Sequence, residues 1–291
     1  MGVVAPASGV KQEPLEAGCR RLERMGYKTC YLPSIFEEDS FFAGPVKRRA
    51  RELEEMFVRD DIRAIVCARG GYGSNYLLEA LDWSKLRKHP KIFVGYSDLT
   101  TLMTELMRRC NMVCLHGPMV SKDLAAEDGV DEASWYAALS GLKSWELRAG
   151  TGLIEGEAEG RLCGGCLSLL AASLGTPYEI ETRGTLLFME DVNAKPFQID
   201  RMLMQLRLAG KLKGVNGLIF GEMKDCEQAG EDLNLQQVIK RATYDLRVPV
   251  AFGLRSGHVS RANMTLPLGV RARLSAGVGA KLSILEAATS A

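Results

Sequence analysis

Residues 91–101 read KIFVGYSDLTT, and this stretch decides the fold of the first half of the chain. Three consecutive apolar residues, Ile92, Phe93 and Val94, lead into Gly95-Tyr96-Ser97-Asp98. The period then changes: Leu99, Leu102, Met103, Leu106 and Met107 fall at i, i+3, i+4, i+7 and i+8. A buried strand, an abrupt turn and an amphipathic helix account for that pattern. Ser97 sits at the junction. Two roles fit it, a helix N-cap or a nucleophile raised on a tight elbow.

The surrounding sequence repeats the theme. IRAIVCA (62–68) is a second apolar run, closed by the glycine-rich CARGGYG and followed by a helical pattern near 75–81. Charged helical segments at 14–25 and 46–59, strand-like residues at 3–5 and 27–32, and MVCLHGP at 112–118 complete the alternation. Short apolar strands separated by helices predict a parallel sheet with helices on both faces. Between 121 and about 150 the pattern loosens, and afterwards glycine-rich turns punctuate strand-like pieces. The expected organisation is an α/β domain over 1–135, a linker over 136–150 and a smaller β-rich α+β domain over 151–291.

Composition narrows the function. The 291 residues carry a formal net charge of +1, which supplies no field for nucleic acid or an anionic membrane. No apolar run approaches the roughly 20 residues that span a bilayer. The start, MGVVAPASGVKQEP, has no basic residue before its short apolar stretch and does not read as a secretory signal. Eight cysteines in a chain of this size, several inside apolar runs, read as reduced thiols of a cytoplasmic protein. Cys163-Gly-Gly-Cys166, a lone CxxC, reads as two structural cysteines rather than as half a zinc site or a redox pair. No cofactor or metal is expected.

If Ser97 is a nucleophile it needs a base. Of three histidines, His89 lies in a polar turn, while His116 and His258 both end or follow strands and stand level as candidates. Glu190 and Asp191 close the apolar run TLLFM, where a carboxylate can orient an imidazole or simply be solvated. The RGGYG loop can serve as an oxyanion loop, a phosphate cradle or a plain turn, with Arg69 beside it able to hold a carboxylate.

Five motifs together resemble the LD-carboxypeptidase family, peptidase family S66. They are RGGYGSNYLLEALDW (69–83), HPKIFVGYSDLTTL (89–102), CLHGPM (114–119), GTLLFMEDVNAKPFQIDRMLMQL (184–206) and SGHVSRANMTLPLG (256–269). They run in the family's order across nearly the whole chain. The resemblance implies a flavodoxin-like parallel-sheet N-terminal domain, a smaller β-rich C-terminal domain, an active site between them and a homodimer. It implies a serine hydrolase whose triad is Ser97, Glu190 and His258, choosing His258 over His116. By the same resemblance the oxyanion hole is formed by the amides of Asp98 and Gly71. Arg69 and Arg255 are candidates for the substrate's terminal carboxylate. The implied reaction releases terminal D-alanine from a murein tetrapeptide. The family also contains microcin C self-immunity peptidases, so a peptidyl-nucleotide is the alternative substrate; a non-catalytic ligand-binding module is a more distant one. One departure stands out. The family commonly has GGNL where this chain has Gly164-Gly165-Cys166-Leu167, and a thiol cannot reproduce the hydrogen bonds of an asparagine amide.

Overall fold

The apolar runs of the first half become short strands, buried throughout except for Ile92 at the start of the third. Gly2–Val4 (β1), Ala64–Cys67 (β2), Ile92–Gly95 (β3) and Cys114–His116 (β4) pair in parallel in that order. Gly2 also bridges Cys30 in parallel on the other side of β1. Counting that bridge as a vestigial strand gives the order 2-1-3-4-5 of flavodoxin-like sheets. Gln12–Arg24 (α1), Val46–Val58 (α2), Trp83–Lys88 (α3) and Thr100–Cys110 (α4) are the connecting helices. In α4 the stripe Leu102, Met103 and Leu106 is buried, and Asn111 ends the helix in the left-handed region at φ 53°.

This computed structural model describes residues 1–227 and 234–289. The chain divides into two compact units, one of Met1–Trp135 with Arg261–Thr265, the other of Tyr136–Ser260 with Leu266–Ala291. The second unit is therefore no smaller than the first. Residues 136–150, expected as a linker, hold the end of a helix (Glu132–Leu139, α5) and an edge strand, Trp145–Arg148 (β5).

The second unit has a parallel centre. Gly156–Cys166 (β7), Thr185–Glu190 (β8), Gly217–Gly221 (β9) and Val250–Leu254 (β10) run parallel. Helices Leu167–Ala172 (α6), Pro196–Leu208 (α7) and Leu235–Thr243 (α8) lie between successive strands in the chain. Thr151–Ile154 (β6) adds antiparallel to β10. The short strand Leu266–Leu268 (β11) is not part of this sheet; Arg271–Ala276 (β12) and Lys281–Ile284 (β13) extend its other side, ending on β5. Leu187, Met189, Leu218 and Phe220 from the sheet pack with Leu167, Leu170, Ile199, Leu203 and Ile239 from the helices. Each such side chain contributes roughly 1.5–3 kcal/mol of burial.

Two local expectations give way for identifiable reasons. The helix expected at 75–81 is a 3-10 turn, Ser74–Leu77, and α3 starts only at Trp83. The Asp82 side chain accepts from Ser84 N at 3.0 Å and Lys85 N at 3.1 Å, so the helix nucleates on that cap instead. The strand-like residues 27–32 contribute a single bridge, with Pro33 opening a 3-10 turn next to them.

Candidate active site

In parallel α/β sheets, ligands bind beyond the carboxyl ends of the strands, where the strand order reverses. In the first unit that point lies between β1 and β2, and three loops gather there. Ser8, after β1, donates its amide to Gly70 O at 3.3 Å and accepts from Tyr72 N on its Oγ at 3.0 Å. Gly70 in turn faces the turn after β3: a Cβ placed on it would meet Ser97 Cβ at 3.0 Å, Ser97 Oγ at 3.2 Å and Asp98 N at 3.4 Å. Only a bare backbone at 70 lets the glycine loop lie against the serine.

The backbone around Ser97 makes an abrupt turn. Tyr96 is fully extended, at φ −159° and ψ −171°, and the chain then turns sharply into Ser97 at φ 64°. Ser97–Leu99 form a 3-10 turn that runs into α4, and the N-cap positions of the turn and of the helix are Tyr96 and Leu99, not Ser97. A non-glycine residue in the left-handed region costs about 1–2 kcal/mol. Such strain persists where the surrounding structure imposes it, and it marks functional turns. Here the half-buried hydroxyl sits on a strand-to-helix elbow, with the Asp98 amide directly after it.

Asp98 is itself 2 % exposed; burial raises its carboxyl above the ordinary range, against the hydrogen bonds it accepts from Ser74. Gly71 lies at φ 107°, where a Cβ would strike Ser8 Oγ at 2.3 Å, so this position too requires glycine. Arg69 is exposed and donates to Gly9 O at 3.3 Å. His116 is fully buried in the first unit, its ring 5.7 Å from that of Tyr96. It packs as a core residue beneath the turn.

The second unit carries Glu190 and His258. Glu190 closes β8 and is fully buried, and His258 follows β10 at 9 % exposure. One carboxylate oxygen, Glu190 Oε2, accepts from the His258 amide at 2.9 Å and lies 2.8 Å from His258 Nδ1. A carboxylate offers only lone pairs, so this contact assigns the ring proton to Nδ1 and leaves Nε2 as the basic nitrogen. The pair depends on a glycine one strand away. A Cβ on Gly221 would lie 2.6 Å from Glu190 Cβ. Asp191 points elsewhere, accepting from Ser168 N at 2.8 Å and Val192 N at 2.9 Å, and burial raises its carboxyl. Arg255 is half-buried on the loop before His258.

Cys166 stands opposite Glu190 in the β7–β8 register. Its Sγ lies 3.2 Å from Ser168 Oγ, and burial, with Glu190 and Asp191 adding to it, pushes the thiol far up. Cys163 is pushed up to about 11 by burial, and all eight cysteines are free. Gly164 explains the double glycine: at φ 127°, a Cβ there would run into Phe188 O at 1.8 Å.

Family comparison agrees with both halves. The LD-carboxypeptidase N-terminal domain model matches residues 1–117 and the C-terminal domain model residues 159–274. The probable murein peptide carboxypeptidase of Bacillus subtilis is 37% identical over 297 residues, covering 100% of this chain and 92% of that protein. This chain belongs to the LD-carboxypeptidase family. The crystal structure of muramoyltetrapeptide carboxypeptidase from Oxalobacter formigenes has a TM-score of 0.88 and 29% identity to this LD-carboxypeptidase, covering 99% of each chain. The microcin C7 self-immunity protein of Escherichia coli is more distant, 26% identical over 303 residues that cover 92% of this chain and 87% of that one. Within the LD-carboxypeptidase chain, the contributions of Ser8, Gly70, Gly164 and Gly221 have no sequence signal of their own beyond residue type. They emerge only from which strands and loops are neighbours.

Proposed function

We propose that this enzyme hydrolyses the amide bond between the L-centre of a diamino acid and the terminal D-alanine of a murein tetrapeptide, with Ser97, His258 and Glu190 as its triad. The observation that carries the reading is the Glu190–His258 contact at 2.8 Å, in a chain 37% identical over its length to a probable murein peptide carboxypeptidase. Ser97 Oγ attacks the carbonyl carbon while its proton passes to His258 Nε2, and Glu190 stabilises the imidazolium. The amides of Asp98 and Gly71 receive the developing oxyanion. Collapse of the tetrahedral intermediate breaks the C–N bond, and His258 returns the proton to the leaving D-alanine amine. Water, activated by His258, then releases the tripeptide from Ser97 by the reverse sequence. Arg69 and Arg255 are candidate cations for the terminal carboxylate.

The reading includes a homodimer working in the cytoplasm on recycled cell-wall peptides. Eight free cysteines, most of them buried, support a reducing compartment; light scattering on the purified protein measures the dimer. Mass spectrometry of a murein tetrapeptide after incubation tests the reaction itself. Loss of one alanine, absent with Ser97→Ala, is the expected result, and an uncleaved tetrapeptide would sink the reading. A peptidyl-nucleotide substrate is run alongside, and faster cleavage of it would move the assignment to the self-immunity type.

A further inference from the structure

The loop that faces Ser97 is held from behind by one buried arginine. Arg49, on α2, is 1 % exposed. Its Nε donates to Gly44 O at 3.1 Å, and its Nη1 donates to both Pro6 O and Gly73 O at 2.7 Å. Those carbonyls belong to three separate segments: the loop after β1, the loop before α2 and the glycine loop after β2. The guanidinium also lies 4.9 Å from the centre of the Phe42 ring. Gly73 is at φ 112°, and a Cβ there would strike Phe42 at 2.4 Å, so the close approach of Gly73 O to Arg49 depends on glycine.

The peptide unit gripped by Arg49 is gripped at its other end too. Its oxygen is Gly73 O, and its nitrogen, Ser74 N, donates to the Asp98 carboxylate at 2.8 Å. Ser74 Oγ likewise donates to Asp98 O. A single peptide plane thus spans from the buried guanidinium to the residue that follows the nucleophile. Rotating that plane moves the glycine loop and the Asp98 backbone together, and those are the two sources of oxyanion donors. A planar fork with several fixed donors can pin three carbonyls at once, whereas an ammonium cannot hold them in the same plane.

We infer that Arg49 is a positioning residue for the oxyanion hole, acting through the Gly73–Ser74 peptide and Asp98. It touches no substrate. Its effect belongs to the tetrahedral state, because donors displaced by a few tenths of an ångström lose most where charge is greatest. The inference rests on Ser97 as the nucleophile.

Arg49→Lys keeps the charge and most of the stem while losing the fork. Its kcat should fall roughly 10- to 100-fold, below the loss of a whole oxyanion donor, with KM within about twofold of wild type. Affinity for a peptide boronic acid, whose tetrahedral adduct on Ser97 resembles the intermediate, should fall by the same factor as kcat. A merely structural role would not link those two quantities. Unchanged kcat, or a lower kcat with unchanged boronate affinity, would overturn the inference. Circular dichroism melts check folding. If Arg49→Lys does not fold, Phe42→Leu keeps all three carbonyl bonds, removes the ring beneath the guanidinium and should show the same parallel at a loss of a few-fold. Wild-type values for both quantities in that variant would overturn the inference equally. Fluorophosphonate labelling of the wild-type enzyme separates the levels: no label on Ser97 removes the nucleophile reading, whereas label with an unchanged Arg49→Lys removes only the role of Arg49.

Discussion

The β3–α4 turn and the end of β8 both present a side chain of the proposed triad at the carboxyl end of a parallel strand, yet they are built on opposite principles. Ser97 is half-buried and held at φ 64°. Glu190 is fully buried, in ordinary strand conformation, and its Oε2 meets the backbone and ring of His258. A nucleophile must be accessible, so its position is secured by the backbone and by neighbours that lack side chains. An orienting carboxylate must keep one geometry in a dry environment, so it is secured by packing and hydrogen bonds. Strain marks the first and burial the second.

The largest expected contrast is catalytic. Ser97→Ala should lower kcat by about 10⁴- to 10⁶-fold with the fold intact, and Glu190→Gln by less, about 10³- to 10⁴-fold. Steady-state rates on the tetrapeptide measure both, and equal losses would erase the division of labour drawn above. Next comes packing at the acid. Gly221→Ala places a methyl 2.6 Å from Glu190 Cβ, which should destabilise the protein by about 1–3 kcal/mol and reduce activity with it. A variant with unchanged melting and rate would show that the acid's seat is looser than its burial implies.

Strain can be tested without chemistry. Ser97→Gly relieves the left-handed backbone and should raise stability by up to about 1 kcal/mol, a rise of about 2–4 °C, while Ser97→Ala should not. Equal midpoints in the two variants would remove strain from the account of the elbow. The smallest effect concerns pH. Burial raises the Asp98 carboxyl, so the native state takes up this proton at higher pH than the unfolded chain does. The wild type should therefore gain stability relative to Asp98→Asn as pH falls from neutral toward about 4. Paired thermal melts at pH 7 and pH 5 measure it, and the opposite trend would place Asp98 in a more favourable setting than its burial indicates.

The first sheet was legible because its strands are continuous apolar runs closed by glycine, as in IRAIVCA and KIFVG. The edge strand β5 was not: in WELR only Leu147 is buried, so the alternation that marks a half-buried strand is barely present. The parallel centre of the second unit was also obscured, because its glycine-rich pieces look like hairpin material until their neighbours are known. For the site, spacing alone left Ser97 between two roles and His258 level with His116. Resemblance chose between the histidines, and at 97 the structure adds a left-handed backbone with Tyr96 in the cap position. The contact of Glu190 with a residue 68 positions away depends on which strands lie side by side, and nothing local in either motif encodes that.

The interleaving of the two units bears on synthesis. Asn263 is fully buried in the first unit, its amide donating to Gly129 O at 2.9 Å and its carbonyl accepting from Asp131 N at 3.1 Å. A ribosome making 5–20 residues per second reaches it roughly 6 to 25 seconds after finishing Trp135. During that interval the N-terminal unit lacks one of its own buried segments, however early its sheet forms. The missing strap begins three residues after His258, so that histidine and the last piece of the first unit emerge almost together. A nascent chain cut short before that point lacks a buried segment of its first unit, and under the proposed triad it would stay inert until nearly the whole chain exists.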